Sequence, residues 1–297
     1  MEHNQFLEAY NLLNTCLINQ VMDRTYNSVG SNIFFEFGKQ KEIVFQNGKR
    51  RLQKEWSLWL SWTSWRISQH KEYVIGSGES PDVNIQVHLE RLLGKRILSF
   101  EFLSPFLDLG INFEDGYRVT TFFNRIEENQ WVLFLSNDTE IVIDCSSLKA
   151  IESVQHLANQ LRINNKYKEL ELPFFDIEVK ELLFGEKELS KMICTKNFSI
   201  NLGLSAWRLE KNDQYQAGRK DYYFDSLEGK NKEIKDKLSD LIGEKINRTS
   251  LDSSGMDLRV EFDNGYVFEI FTHSKAEPWK LNSNNEIILY AKVESRE

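Results

Sequence analysis

An α+β protein of two similar modules, each dominated by antiparallel β-sheet with a few packed helices, is the fold class this sequence predicts. Three observations predict it. The phrase Asp108-Leu-Gly-Ile-Asn-Phe-Glu-Asp-Gly-Tyr117 recurs as Asp257-Leu-Arg-Val-Glu-Phe-Asp-Asn-Gly-Tyr266. Apolar and polar residues alternate through both copies, the period of a half-buried strand. Turn signals interrupt the alternation at Asp115-Gly116 and Asn264-Gly265, so each copy reads as a hairpin.

The repeat extends well beyond the phrase. Leu92, Gly94 and Ile97 recur as Leu241, Gly243 and Ile246, and 241 − 92 gives the same offset of 149 as 257 − 108. Upstream the offset is 142: Trp65-Arg66 answers Trp207-Arg208, and Tyr73 and Gly76 answer Tyr215 and Gly218. The difference of seven is an insertion, placed in the polar run from Leu227 to Lys237, which lengthens a loop or helix start at little cost. Downstream, Trp131 pairs with Trp279. The organisation expected is a first module over 1–146, a connecting helix over 147–164 and a second module over 165–297, each unit being of ordinary domain size.

Taken in order, the chain predicts a helix over Gln5 to Arg24 and a strand pair over Trp56 to Ile67, the latter answered by Phe198 to Leu204. A short helix follows over Asn84 to Gly94, then the hairpin Asp108 to Phe122. Ser147 caps a helix carrying Leu148, Ile151, Val154, Leu157, Ala158 and Leu161 at helical spacing, running to Leu161. Another helix covers Lys232 to Ile242, and the second hairpin covers Leu258 to Ile270. Asp-Gly and Asn-Gly suit a type I′ turn, whose central residues both need positive φ.

Composition bounds the function. With 297 residues, 41% hydrophobic and 28% charged, the chain can bury two cores. No apolar run reaches the roughly 18 to 20 residues of a membrane span, and Met1-Glu-His-Asn-Gln5 lacks the features of a signal peptide, so a cytoplasmic protein is expected. Cys16, Cys145 and Cys194 are odd in number and far apart, which argues for core residues over disulfides. A net charge of −8 opposes direct nucleic-acid binding and suits a basic partner.

Candidate sites are few. Trp65-Arg66 and Trp207-Arg208 have the residue types for stacking on a cation and forking onto an anion. Alternation, however, puts each Trp in the core and sends Arg66 and Arg208 to solvent. Trp56, Trp59 and Trp62 have no counterpart in the second copy, and a spacing of three brings both faces of a strand into play; a strand buried on both faces is the expected account, and an indole left exposed among them is the candidate anchor for a partner. Asp108 and Asp257 sit at strand starts, with Glu114 and Asp263 beside the turns; local backbone hydrogen bonds are expected of them, not acid–base work. His3, His70, His88, His156 and His273 are dispersed, and no pair has metal-ligand spacing, so no metal or cofactor is expected. Gly76-Ser-Gly78 lacks the ending of a phosphate loop and reads as a glycine turn.

The order apolar-x-Gly-Lys/Glu-x-Ile, then Asp-Leu to Gly-Tyr, then a Trp-x-Leu strand resembles small uncharacterised bacterial proteins, some of which look like the immunity partners of polymorphic toxins. It is carried by Gly94, Ile97, Asp108, Leu109, Phe113, Gly116, Tyr117 and Trp131, and again by Gly243, Ile246, Asp257, Leu258, Phe262, Gly265, Tyr266 and Trp279. The resemblance implies binding without catalysis, and the tandem form departs from the single unit usual there. The function expected is therefore a non-enzymatic protein-binding protein. It would be an immunity-type inhibitor, or a subunit of a bacterial toxin, antiphage-defence or counter-defence assembly, with a basic toxin or nuclease as partner. The alternative is a small-molecule or nucleotide-binding protein with a site between the modules, where Arg66, Arg208, Asp108 and Asp257 would act.

Overall fold

Alternating sequences build sheets only if each strand finds a neighbour, and here they do so in four antiparallel sheets. The computed structural model describes residues 17–28, 32–44, 50–61, 63–80, 82–103, 108–123, 129–135, 140–144, 170–172, 174, 176–184, 189–195, 198–212, 214–219, 228–252, 256–276, 278–283 and 286–291. In the first half, β1 (Met22–Asn27), β2 (Ile33–Val44), β3 (Arg50–Leu60), β9 (Asn129–Leu135) and β10 (Glu140–Asp144) form one sheet in that order. A second contains β4 (Ser64–Gln69), β5 (Glu72–Gly76), β6 (Ile97–Phe102), β7 (Leu109–Phe113) and β8 (Tyr117–Phe122), ordered β5-β4-β8-β7-β6.

In the second half, β13 (Glu181–Phe184), β14 (Leu189–Ile193), β15 (Phe198–Asn201), β21 (Lys280–Ser283) and β22 (Glu286–Tyr290) form a sheet in that order. The fourth sheet holds β11 (Leu170–Leu172), β12 (Ile177–Glu178), β16 (Ala206–Lys211), β17 (Gln214–Gly218), β18 (Lys245–Leu251), β19 (Leu258–Phe262) and β20 (Tyr266–Phe271). Its order is β17-β16-β20-β19-β18, with β11 and β12 both added to the outer edge of β18.

Period-2 alternation decides what lies between the sheets. In the first half, Phe35, Leu58 and Leu133 from one sheet meet Trp65, Ile67, Ile111 and Val119 from the other in one buried cluster. In the second half, Met192, Ile200 and Leu281 meet Trp207, Leu209, Val260 and Phe268. Each half is thus two sheets face to face over an apolar core. Among the described residues helices are minor: α1 (Ile85–Leu89) runs into a 3-10 turn at Glu90–Leu92, and α2 (Glu228–Ser239) seats Ile234 and Leu238 on the second core.

Both predicted hairpins form, as β7–β8 and β19–β20, and the short helix at 84–94 and the helix at 232–242 fall on α1 and α2. Their turns differ. Asp115 (φ 58, ψ 26) and Gly116 (φ 72) are both left-handed, as a type I′ turn requires, whereas in the second hairpin that conformation falls on Gly265 (φ 82) and not on Asn264. A type I turn closed by one left-handed glycine needs no more. Two further expectations are corrected. Met22 to Arg24, the end of the first predicted helix, lies in β1, where pairing to Phe37 and Glu36 overrides helical spacing; its residues before 17 lie outside those described. Trp56 to Ile67 is not a strand pair: β3 pairs β2 and β9 while β4 pairs β5 and β8, so the two strands belong to different sheets. The helix predicted over Ser147 to Leu161 also lies outside the described residues.

Candidate functional site

The sheet faces turned away from the two cores contain the residues of interest. Along β4, Trp65 points into the core, so Arg66 must point the other way; the same holds for Trp207 and Arg208 on β16. That other side is not solvent. Arg66 and Arg208 are 3% and 2% exposed, which overturns the expectation of solvated arginines. Their faces meet another sheet, because the β4 sheet of the first half packs on the β16 sheet of the second, with Phe122, Ala206 and Phe271 in one buried cluster.

The contacts across this junction are reciprocal. Arg66 forks onto Asp257 of the opposite half, with Nη2 donating to Oδ2 at 2.8 Å and Nη1 donating to Oδ1. Arg208 in turn donates from Nη1 to Asp108 Oδ2 at 2.9 Å, across 100 residues of sequence. Arg66 Nη1 also donates to the Thr272 carbonyl and Arg208 Nη1 to the Phe123 carbonyl, both at 3.2 Å. Each guanidinium lies over a phenyl ring of the other half, Arg66 over Phe271 at 4.5 Å and Arg208 over Phe122 at 4.6 Å, and those two rings stack on one another at 4.7 Å. The aspartates are held for this role: Asp108 Oδ1 accepts from Phe123 N–H at 2.5 Å, and Asp257 Oδ1 from Thr272 N–H at 3.2 Å. The expected backbone bonds are therefore present, and each carboxylate also pairs an arginine.

Two glycines tighten the same junction. A Cβ at Gly76 would lie 2.2 Å from the His273 carbonyl oxygen, and one at Gly78 would lie 2.3 Å from the His273 ring. Gly78 N–H donates to that carbonyl at 3.0 Å. The glycine turn is thus a point of close backbone approach.

The two arginines have unequal surroundings. Beside Arg66 the second acid is Asp252, 3.8 Å away. Around Arg208 lie Glu269, which accepts from Nε at 2.9 Å and also from Nη2, and Glu210, whose Oε1 is 2.8 Å from Nε but off the N–H axis. Arg259 Nη1 donates to Glu269 at 2.6 Å. Burial, reinforced by the neighbouring Glu269, raises Glu210 well above the ordinary carboxyl range. Burial would raise Glu269 too, but Arg208 and Arg259 outweigh it and lower the group. The two carboxyls are thus driven in opposite directions, Glu210 up and Glu269 down. Burial also pushes Asp257 up to about 7, against the pull of Arg66.

These groups border a small cavity of about 30 Å³, lined by Phe122, Arg208, Asp252, Asp257, Arg259 and Glu269. It has room for about two waters. Among the described residues no group of three or more His, Cys, Asp or Glu side chains has metal-holding geometry, and no helix is long and apolar enough to cross a membrane.

The tryptophans part company. Trp56 lies on the core side of β3, half-buried against the first cluster. Trp59 lies on the opposite side and is the centre of an aromatic ladder: Tyr26 stacks on Phe34 at 4.7 Å, Phe34 on Trp59 at 5.2 Å, and Trp59 on Phe134 at 6.3 Å. All four rings are half-buried, and each comes from a different strand. Trp62 lies outside the described residues. In the second half, pairing places Leu183, Lys191, Asn201 and Lys280 in successive register across β13, β14, β15 and β21, where the first half has Tyr26, Phe34, Trp59 and Val132 across β1, β2, β3 and β9. The ladder belongs to one half alone.

Sequence reasoning missed Glu210, Glu269, Arg259 and Asp252. A signal existed: offsets of 142 and 149 place Ser68, Thr120 and Gly110 where the second copy has Glu210, Glu269 and Arg259. Comparison with family models, curated proteins and solved structures finds no match to this chain.

Proposed function

We propose that the protein is a non-enzymatic protein-binding protein, an immunity-type inhibitor or a subunit of a bacterial toxin, defence or counter-defence assembly, built as two modules of one design docked face to face. The observation that carries this reading is the unequal use of the two halves. The doubled Arg and Asp residues, the best candidates for a doubled active site, are engaged with each other across the junction. The residues that differ between halves include the Tyr26-Phe34-Trp59-Phe134 ladder, an aromatic surface of the kind that anchors interfaces. The matching strand orders β5-β4-β8-β7-β6 and β17-β16-β20-β19-β18 support the two-module design. The net charge of −8 favours capture of a basic partner. The cavity of about 30 Å³ beside Arg208 does not by itself offer the small-molecule alternative a metabolite-sized site.

Coexpression with the products of the adjacent genes tests the reading. A stoichiometric complex on gel filtration with light scattering, together with rescue of growth from the neighbouring toxin, is the expected result. Trp59→Ala combined with Phe34→Ala should weaken that complex at least about tenfold. No complex with any neighbouring product, or one indifferent to the double substitution, would contradict it.

A further inference from the structure

We infer that the junction between the halves is a homodimer interface joined into one chain, and that the face carrying Arg66, Asp108 and Phe122 pairs with a second copy of itself when the second half is kept from covering it. A surface that pairs with itself does so about a two-fold axis. Residues at the axis then touch their own counterparts, and every other contact occurs twice with the partners exchanged. Modules docked through unrelated patches would show neither mark.

Both marks are present. The offset of 149 makes Phe122 and Phe271 counterparts, and these two rings stack on one another at 4.7 Å. By the offsets of 142 and 149, Arg66 matches Arg208, Asp108 matches Asp257 and Phe123 matches Thr272. Arg66 donates to Asp257 and to the Thr272 carbonyl, while Arg208 donates to Asp108 and to the Phe123 carbonyl. Exchanging the two halves leaves that set of contacts unchanged.

Charge decides which face retains the ability to self-pair. Two copies of the first face would set Arg66 of each against Asp108 of the other, one cation for each anion. Ser68, Thr120 and Gly110 add no charge there, and Arg118 and Glu101 pair with each other at 2.9 Å. Two copies of the second face would bring together Asp252, Asp257, Glu210 and Glu269 of each, with Arg208 and Arg259 to balance them. Acids outnumber arginines in that arrangement, and like charges brought together out of water oppose association. In the intact chain Arg66 adds a cation to this acid-rich surface. The second half is therefore fitted to the first, while the first still fits itself. The inference rests on the two-module design proposed above and not on toxin neutralisation.

Wedges on the two faces test this in the full chain. Ser64 and Ala206 are counterparts at the offset of 142, both fully buried and paired with Phe122 and Phe271. Both face away from their cores, because Trp65 and Trp207 beside them point inward. Ala206→Arg should force the halves apart while leaving the first face intact, so gel filtration with light scattering should give twice the native mass. Asp257→Lys, which sets a cation against Arg66, should do the same. Adding Asp108→Asn should weaken either dimer at least about tenfold. Ser64→Arg, the same wedge on the first face, should leave the mass at the native value. Melting curves show which variants fold. Native mass in a folded Ala206→Arg or Asp257→Lys chain, a dimer indifferent to Asp108→Asn, or equal doubling by Ser64→Arg would overturn the inference. Failure of both opening variants to fold would overturn it too, because a half that cannot stand without the other is no self-pairing module. The assay requires no toxin, so failed neutralisation with the predicted masses would count against the functional reading alone.

Discussion

Arg66 and Arg208 make the same set of contacts in different electrostatic company. Each pairs an aspartate of the opposite half, donates to a backbone carbonyl there and lies over a phenyl ring. Around Arg66 the remaining acid is Asp252; around Arg208 there are Glu210 and Glu269, with Arg259 behind them. The shared contacts dock the halves, and the unshared ones determine how much each arginine is needed. A buried cation surrounded by several carboxylates is more costly to remove than one whose partner can take up a proton.

The largest expected effect follows from that contrast. Arg208→Ala leaves Asp108, Glu210 and Glu269 buried together and should cost about 3 to 5 kcal/mol in urea denaturation at pH 7. Arg66→Ala should cost about half as much, because Asp257, already pushed up to about 7, can neutralise itself by protonation. Equal losses at the two sites would break the comparison.

The shared part of the junction should respond symmetrically. Phe122→Ala and Phe271→Ala each remove one ring of the stack and the surface beneath one guanidinium, and each should cost about 3 kcal/mol. Melting temperatures of the two variants should fall together.

Acid–base behaviour distinguishes the sites next. Asp257 is raised from 3.8 to about 7 in the fold, so between those values the folded chain binds a proton that the unfolded chain does not. Its contribution is fully present below about pH 4 and is lost as pH rises through about 7. A shift of that size corresponds to a change of about 4 kcal/mol at most. Denaturation at a series of pH values should show this decline in the native chain and a flatter profile in Asp257→Asn. The smallest effect is at Glu210: burial and the neighbouring Glu269 disfavour its charge, so Glu210→Gln, which keeps the shape and removes that charge, should cost below about 1 kcal/mol at pH 7.

Local features of the fold were legible in sequence because the chain encodes them locally. Leu109, Ile111 and Phe113 alternate into the core, Asp115 and Gly116 turn, and Tyr117 and Val119 return, all within a dozen residues. Burial of the arginines was not legible. Alternation says that Arg66 opposes Trp65 across the strand, but whether that side meets water depends on a sheet whose Asp257 is 191 residues away. The ladder was half legible for the same reason. Trp59 stood out as unmatched, but Tyr26, Phe34 and Phe134 join it only through the strand pairing. The acids at Glu210 and Glu269 could have been noticed as charges replacing Ser68 and Thr120 on central strands, where a solvated face and a buried one look alike in sequence.

The claim underlying all of this is that the halves are joined by reciprocal Arg–Asp pairs, and a double-mutant cycle on Arg208→Ala and Asp108→Ala measures it most directly. The two residues lie 100 positions apart, in different halves, in contact at 2.9 Å. A coupling of about 2 kcal/mol or more between the substitutions, read from denaturation midpoints and slopes, is the predicted result. Additivity within about 0.5 kcal/mol would contradict the account, because residues that never meet do not couple.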